Sequence, residues 1–258
     1  MGVVNVTPDS FSGGGVQPRP EEAAAEALGM LDEGAAIVDV GGESTRPGAG
    51  PVPLDEELRR VLPVLEALQG HAVSIDTSKA EIARRALELG AELVNDVTAF
   101  RGDPELAGVV ADGAAYCCLV HMQGDPPTMQ DDPRYGDVVS EVKAFLEERL
   151  AFAVSAGIPE ERVCLDPGIG FGKTAVHNFE LMRRLPELLA LGRPLLLGLS
   201  RKRLLAHVVA GSGRVGTTAA SVGAAVAAFE RGATILRVHD VRAHVEALRV
   251  AQAVYEGA

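Results

Sequence analysis

The chain has no tryptophan, and aromatic residues make up only 4% of it. Its core must therefore be built from aliphatic side chains rather than large rings. Cysteine is scarce: Cys117 and Cys118 are adjacent, and Cys164 lies in a separate apolar run. Three thiols so spaced give neither a disulfide framework nor a zinc-ligand pattern, so they read as buried thiols in a reducing compartment, and a cytoplasmic location is expected. Positive charge is in deficit, with 24 Lys and Arg against 36 Asp and Glu, a formal net charge of −12. Such a surface repels nucleic acid and anionic membranes, and neither is expected as a partner. Any anionic small molecule must instead meet a local cluster of cations. No apolar run reaches the ~18 residues of a membrane span, and no basic segment with an apolar leader opens the sequence, so neither span nor signal peptide is expected. Linkers, charge blocks and low-complexity tracts are also missing. With 258 residues, 47% of them hydrophobic, a single domain over residues 1–258 with one large core is expected.

What the chain does have is regular alternation. Short runs rich in Val, Ile and Leu at 2–6, 36–41, 72–76, 93–96, 114–121, 162–166, 194–199 and 234–238 alternate with helical patterns such as 21–33, 81–89, 135–156 and 219–231. This is the mark of repeated βα units around a parallel sheet. Gly34, Gly90, Gly113, Gly157 and Gly232 precede strands, where each helix must stop and turn back.

Periodicity alone does not choose between a closed barrel and an open doubly wound sheet. Polar residues do. Nearly every run ends in a side chain that is costly to bury alone: Asn5, Glu43 with Arg46, Asp76, Asn95 with Asp96, His121, Asp166, Ser200 with Lys202, and Arg237 with His239. Convergence of eight such ends suits a (β/α)₈ TIM barrel of the α/β class, whose site lies at the carboxyl ends of its strands. Singly, each has a bland reading; Asp76 could cap a helix, and Asp166 before Pro167 could start a loop. The longest irregular stretches, 7–20, 42–53 and 122–134, lie at the same end, where long loops are more often functional.

The motifs at these ends are G-V-V-N-V-T-P-D-S-F-S-G-G-G, D-V-G-G-E-S-T-R-P-G-A, S-I-D-T, V-N-D-V, H-M-Q-G-D-P-P-T-M-Q, L-D-P-G-I-G-F-G-K-T, G-L-S-R-K and R-V-H-D. In this order, from Met1 to about His239, the chain resembles the dihydropteroate synthases of the pterin-binding enzyme family. Two departures stand out. Gly13 replaces the family's usual Asp, and a short segment that usually precedes the first strand is lacking, which is expected to leave the amino-terminal end of the barrel less covered without touching the site.

The resemblance implies condensation of 6-hydroxymethyl-7,8-dihydropterin diphosphate with 4-aminobenzoate, giving 7,8-dihydropteroate and diphosphate in folate biosynthesis. An aniline nitrogen is a weak nucleophile, so the enzyme's task is to let diphosphate leave and to steady the cation left on the methylene. Asp76, Lys202, Arg237 and His239 are the implied catalytic residues. Arg237 and His239 project to one side of the last strand, and Asn5 offers a hard oxygen to Mg²⁺, the implied cofactor. On the pterin side, Asp166 matches the carboxylate that accepts two ring N–H groups, Asn95 and Asp76 match other ring contacts, and Lys202 matches the donor to the ring carbonyl. Val97 and Met122 read equally as pocket wall or core. For 4-aminobenzoate the implied contacts are Phe11, Thr45, Arg46, Pro47, Phe171 and Ser200, with the carboxylate near the helix that begins around Arg201.

Two other readings fit the fold. A pterin-binding methyltransferase barrel that serves a corrinoid protein needs no diphosphate site, and a non-catalytic pterin-binding barrel would not need Asn5, Asp76, Lys202, Arg237 and His239 together. The small-residue run T-T-A-A-S-V-G-A-A-V-A-A-F permits close helix packing, and, in line with the family, a homodimer through the last two helices is expected.

Overall fold

Each short apolar run becomes a strand, and each is followed by helix. The order is β1 (Gly2–Asn5), α1 (Pro20–Asp32), β2 (Val38–Gly41), α2 (Leu54–Ala67), β3 (Val73–Asp76), α3 (Ala80–Glu88), β4 (Leu93–Asp96), α4 (Leu106–Asp112), β5 (Tyr116–Val120), α5 (Val138–Ser155), β6 (Val163–Asp166), α6 (Ala175–Arg183), β7 (Leu196–Gly198), α7 (Arg203–Val208), α8 (Thr218–Phe229), β8 (Ile235–Arg237) and α9 (Val241–Glu256). The structure is a computed structural model and describes residues 1–7, 19–46, 48–209 and 217–256.

Strands β1 to β6 pair in sequence order, all parallel, and β7 pairs with β8. Two single bridges, Gly2 with Val238 and Leu165 with Leu195, join the two sheets into a closed barrel. At these seams Val3 N donates to Val238 O at 3.0 Å, and Leu165 N donates to Pro194 O at 2.9 Å.

Side-chain alternation divides the strands into two layers. Val4, Val38, Val40, Ile75, Val94, Leu119, Leu165 and Leu197 belong to the outer core under the helices. The inner set, Leu93, Val97, Cys118, Val120, Met122, Met129, Cys164 and Leu196, fills the lumen with Phe171 and Ile235 against it. All three cysteines are free and buried. The same alternation turns Asp39, Asp76, Asn95, Asp166 and Arg237 inward.

Some boundaries differ from the sequence reading. Gly34, Gly90, Gly157 and Gly232 have φ near +100°, as turn-back residues should, but Gly113 has φ −74° and Ala114 takes the left-handed position at φ +50°. Gly113 lies close to α3 instead, where a Cβ would come within 2.7 Å of Leu87 Cδ1 and the leucine tip would have to shift. Helix α5 starts at Val138 rather than near Tyr135, because Asp137 caps it through Ser140 N at 2.7 Å. Helix α7 starts at Arg203, because Arg201 sits at φ +57° and breaks the helical run. Among the described residues no helix is long and apolar enough to cross a membrane.

Candidate active site

The barrel lumen holds a charge network built from four strands. Arg237 on β8 donates from Nε to Asp39 Oδ2 at 2.6 Å and from Nη2 to Asp76 Oδ2 at 2.7 Å. Asp39, fully buried on β2, also accepts from Ser74 Oγ at 2.5 Å and Asn95 Nδ2 at 3.0 Å. One carboxylate thus fixes a guanidinium and an amide together, and charge assistance makes such bonds stronger than neutral ones. Burial pushes the Asp76 carboxyl up to about 7 against the pull of Arg237, with Asp39 adding to the push. The sequence reading missed Asp39. The signal was available, since an ionisable residue inside the run I-V-D-V-G is too costly to bury without a partner.

A second group surrounds the loop after β6. Asp166 is 5% exposed, and its Oδ1 accepts from Gly168 N at 2.7 Å. Lys202 Nζ donates to Ile169 O and lies 4.8 Å from the centre of the Phe171 ring. Burial draws the Lys202 ammonium down to about 8, with Asp166 pulling it back and Arg237 adding to the fall. Lys173, in the G-F-G-K-T motif, is a further buried cation that the sequence does not single out, and it is 2% exposed. Its Nζ donates to Gly168 O and Phe171 O, both at 3.0 Å, and lies within hydrogen-bond reach of His121 Nδ1 at 2.8 Å. Gly168 and Gly172 let the loop lie flat on the β5 end. Both have positive φ, and a Cβ would sit 1.8 Å from His121 O at Gly168 and 2.3 Å from Gln123 O at Gly172.

Ser200 and His239 meet between β7 and β8, with His239 N 3.2 Å and Nδ1 3.1 Å from Ser200 Oγ. Burial, then the nearby Arg201 and Arg237, draws His239 down to about 4, which leaves the ring neutral at pH 7. Arg201 itself pairs with Asp240 at 2.6 Å.

Thr45 lines a cavity of about 250 Å³ with Asp76, Val97, Pro126 and Pro127. Arg46 is exposed beside it in sequence. Phe11, Gly13 and Pro47 lie outside the described residues. Asn5 is half-buried at the end of β1, in register with Gly41, which is in turn in register with Asp76. The structure therefore brings Asp76, Asn95 and Arg237 into one bonded network, gathers Asp166, Lys202 and Phe171 around one loop, and pairs Ser200 with His239.

Comparison with known proteins identifies the family. The family model described as pterin binding enzyme matches residues 1–239. The dihydropteroate synthase of Escherichia coli K12 is 44% identical over 256 residues, covering 98% of this chain and 90% of the relative. A Yersinia pestis dihydropteroate synthase solved with a sulfonamide drug complex superposes with a TM-score of 0.93 at 41% identity, covering 99% of this chain and 94% of that one. A Xanthomonas albilineans dihydropteroate synthase solved with 7,8-dihydropteroate gives 0.87 at 45% identity, with 99% and 92% covered. The chain belongs to the pterin binding enzymes and, among them, to the dihydropteroate synthase family.

Proposed function

We propose that the chain joins 6-hydroxymethyl-7,8-dihydropterin diphosphate to 4-aminobenzoate, releasing diphosphate and forming 7,8-dihydropteroate for folate biosynthesis. The observation that carries this reading is Arg237, a cation bonded to Asp39 and Asp76 at the mouth of a lumen that also holds Asn95 and Asp166. Asp39 and Asp76 fix the position and orientation of the guanidinium that is to meet the diphosphate.

In this reading Asp166 accepts two N–H groups from the pterin ring, Asn95 and Asp76 contact its edge, and Lys202 donates to its carbonyl. The diphosphate lies towards Arg237 and His239. When the C–O bond breaks, diphosphate keeps the electron pair, and Asp76 faces the positive charge left on the methylene. The amine nitrogen then bonds to that carbon and passes a proton to water. Thr45, Arg46, Phe171 and Ser200 surround the aryl group, with Phe11 and Pro47 completing the set.

Asn5 fits a magnesium ion in chemistry, since its amide oxygen is a hard donor that makes no hydrogen bond to other described residues. No group of three or more His, Cys, Asp or Glu that could hold a metal occurs among the described residues. Mg²⁺ commonly takes one or two protein oxygens and completes its shell with water and phosphate. Bound there, it would neutralise charge on the leaving diphosphate.

The reading includes a cytoplasmic location, in keeping with the three free thiols. It also includes a homodimer through the last two helices. An apolar groove of about 350 Å³ runs beside α8, lined by Leu205, Val208, Ala224 and Ala227, and Val250 and Val254 on α9 are exposed. Light scattering at micromolar concentration should show twice the 26.9 kDa chain mass, and a single monomeric species would refute the dimer. The activity is tested by following diphosphate release from the pterin diphosphate with and without 4-aminobenzoate, Mg²⁺ and enzyme. Release that does not depend on the enzyme would overturn the reading.

A further inference from the structure

The geometry points to Lys79 as a positioning residue for the aryl amine, acting as a clasp on the two ends of the loop that carries Thr45 and Arg46. The inference rests on the reading that this loop contacts 4-aminobenzoate. Lys79 precedes α3 in an extended conformation, φ −110° and ψ 126°, three residues beyond Asp76. Its ammonium has three hydrogens and three acceptors: Glu43 Oε2 at 2.5 Å, Val52 O at 2.8 Å, and Glu57 Oε2. Glu43 and Val52 bracket residues 44–51, and Glu43 Oε1 also accepts from Val52 N at 3.3 Å. Arg60 Nη1 on α2 adds a bond to Gly42 O at 2.8 Å. The stem is therefore tied at both ends, at Glu43 and at Val52.

The clasp is also referenced to the reacting centre. Glu57 on α2 is fully buried, and its second oxygen accepts from Thr77 Oγ1 at 2.8 Å. Thr77 directly follows Asp76, and its N donates to Asn95 O at 3.1 Å. The same short chain of bonds thus links the loop stem to the strand ends that bear Asp76 and Asn95. If filling a gap were the only need, apolar side chains would serve as well, because a buried ion pair is weak evidence for stability. What an apolar set would not do is hold two points nine residues apart on one loop. Fixing those ends removes part of the ordering cost when the loop closes on a ligand.

The test measures Kd for the pterin diphosphate by calorimetry and KM and kcat for both substrates. Lys79→Met should raise KM for 4-aminobenzoate by about tenfold, with kcat and pterin Kd within about twofold, since the loop serves the second substrate alone. Glu57 would then be a buried carboxylate without its cation, so the melting temperature should fall. Lys79→Met with Glu57→Gln removes that charge and should recover melting temperature while KM stays high. Lys79→Arg, which can still reach the acceptors, should bring KM back towards the starting value. The clasp is overturned if Lys79→Met weakens pterin and 4-aminobenzoate equally, or if the double variant restores KM. Arg46→Met separates the two ideas. If it raises KM and Lys79→Met does not, the clasp alone fails; if Arg46→Met and Thr45→Ala both leave KM unchanged, the loop reading fails and the clasp with it.

Discussion

Arg237 and Asp39 meet at 2.6 Å across the barrel lumen, although 198 residues separate them in sequence. Asp39 is on β2 and Arg237 on β8, so the bond passes over β1, and Asp39 sets the orientation of both the guanidinium and the Asn95 amide. Asp39→Asn should lower the melting temperature, because breaking a buried pair commonly costs about 3–5 kcal/mol. It should also weaken the pterin diphosphate by at least about tenfold, through the loss of a fixed Arg237. Calorimetry showing full affinity in a folded variant would remove Asp39 from the site.

Asp166→Asn tests the pterin pocket. An amide offers one acceptor and one donor where two acceptors are needed, and a mismatched buried donor costs roughly 1–3 kcal/mol. Pterin affinity should fall more than about tenfold. Unchanged affinity would make Asp166 only the residue that holds Gly168 N.

Lys202 predicts opposite pH trends for binding and for stability. Its ammonium is drawn from an ordinary 10.5 to about 8. Below pH 8 folded and unfolded chains both carry the proton; between 8 and 10.5 only the unfolded chain keeps it. Stability from this group therefore rises over that window. Donation to the pterin carbonyl needs the proton, so kcat/KM for the pterin diphosphate should fall above pH 8 while the protein stays folded. In Lys202→Arg that limb should vanish, since guanidinium does not titrate there. A limb that persists in the variant belongs to another group.

The leaving group should depart before the amine attacks. In the proposed reading Arg237, His239 and Asn5 form the anion side, so departure of the leaving group is assisted before any bond to the amine is made. Enzyme with Mg²⁺ and pterin diphosphate should then cleave the C–O bond slowly without 4-aminobenzoate, water trapping the cation. Asp76→Asn should slow both this cleavage and the full reaction. If bound pterin diphosphate survives many turnover times intact, displacement is concerted.

All eight strands are legible in the sequence, because each is a short apolar run between helical patterns. The polar strand ends are legible too, as at Asn5, Asp76, Asn95 and Asp166, and the structure joins Asp76 and Asn95 through Arg237 and Asp39. Asp39 escapes because it lies inside its run, with apolar neighbours on both sides that hide it from a search of strand ends. Lys173 escapes for another reason: its partners are carbonyl groups of its own loop and His121, and no spacing rule links a lysine to backbone atoms. Ala114 in the left-handed position is invisible too, because the neighbouring Gly113 is the residue expected to take it.

The seams of the barrel bear on how the protein responds to its substrate. Lys202, Arg237 and His239 all belong to the β7–β8 unit, which single bridges at Gly2 and Leu165 attach to the other six strands. The residues proposed to meet the pterin carbonyl and the diphosphate thus sit on the most thinly stitched quarter of the wall. A ligand that binds Arg237 and Asp76 at once ties that quarter to β3 without any new backbone bond. Amide exchange at Leu197 and Leu236 should therefore slow on loading with the pterin diphosphate far more than exchange at Val94, because a ligand stabilises most what it spans. In effect the substrate is a removable rivet in the wall it occupies.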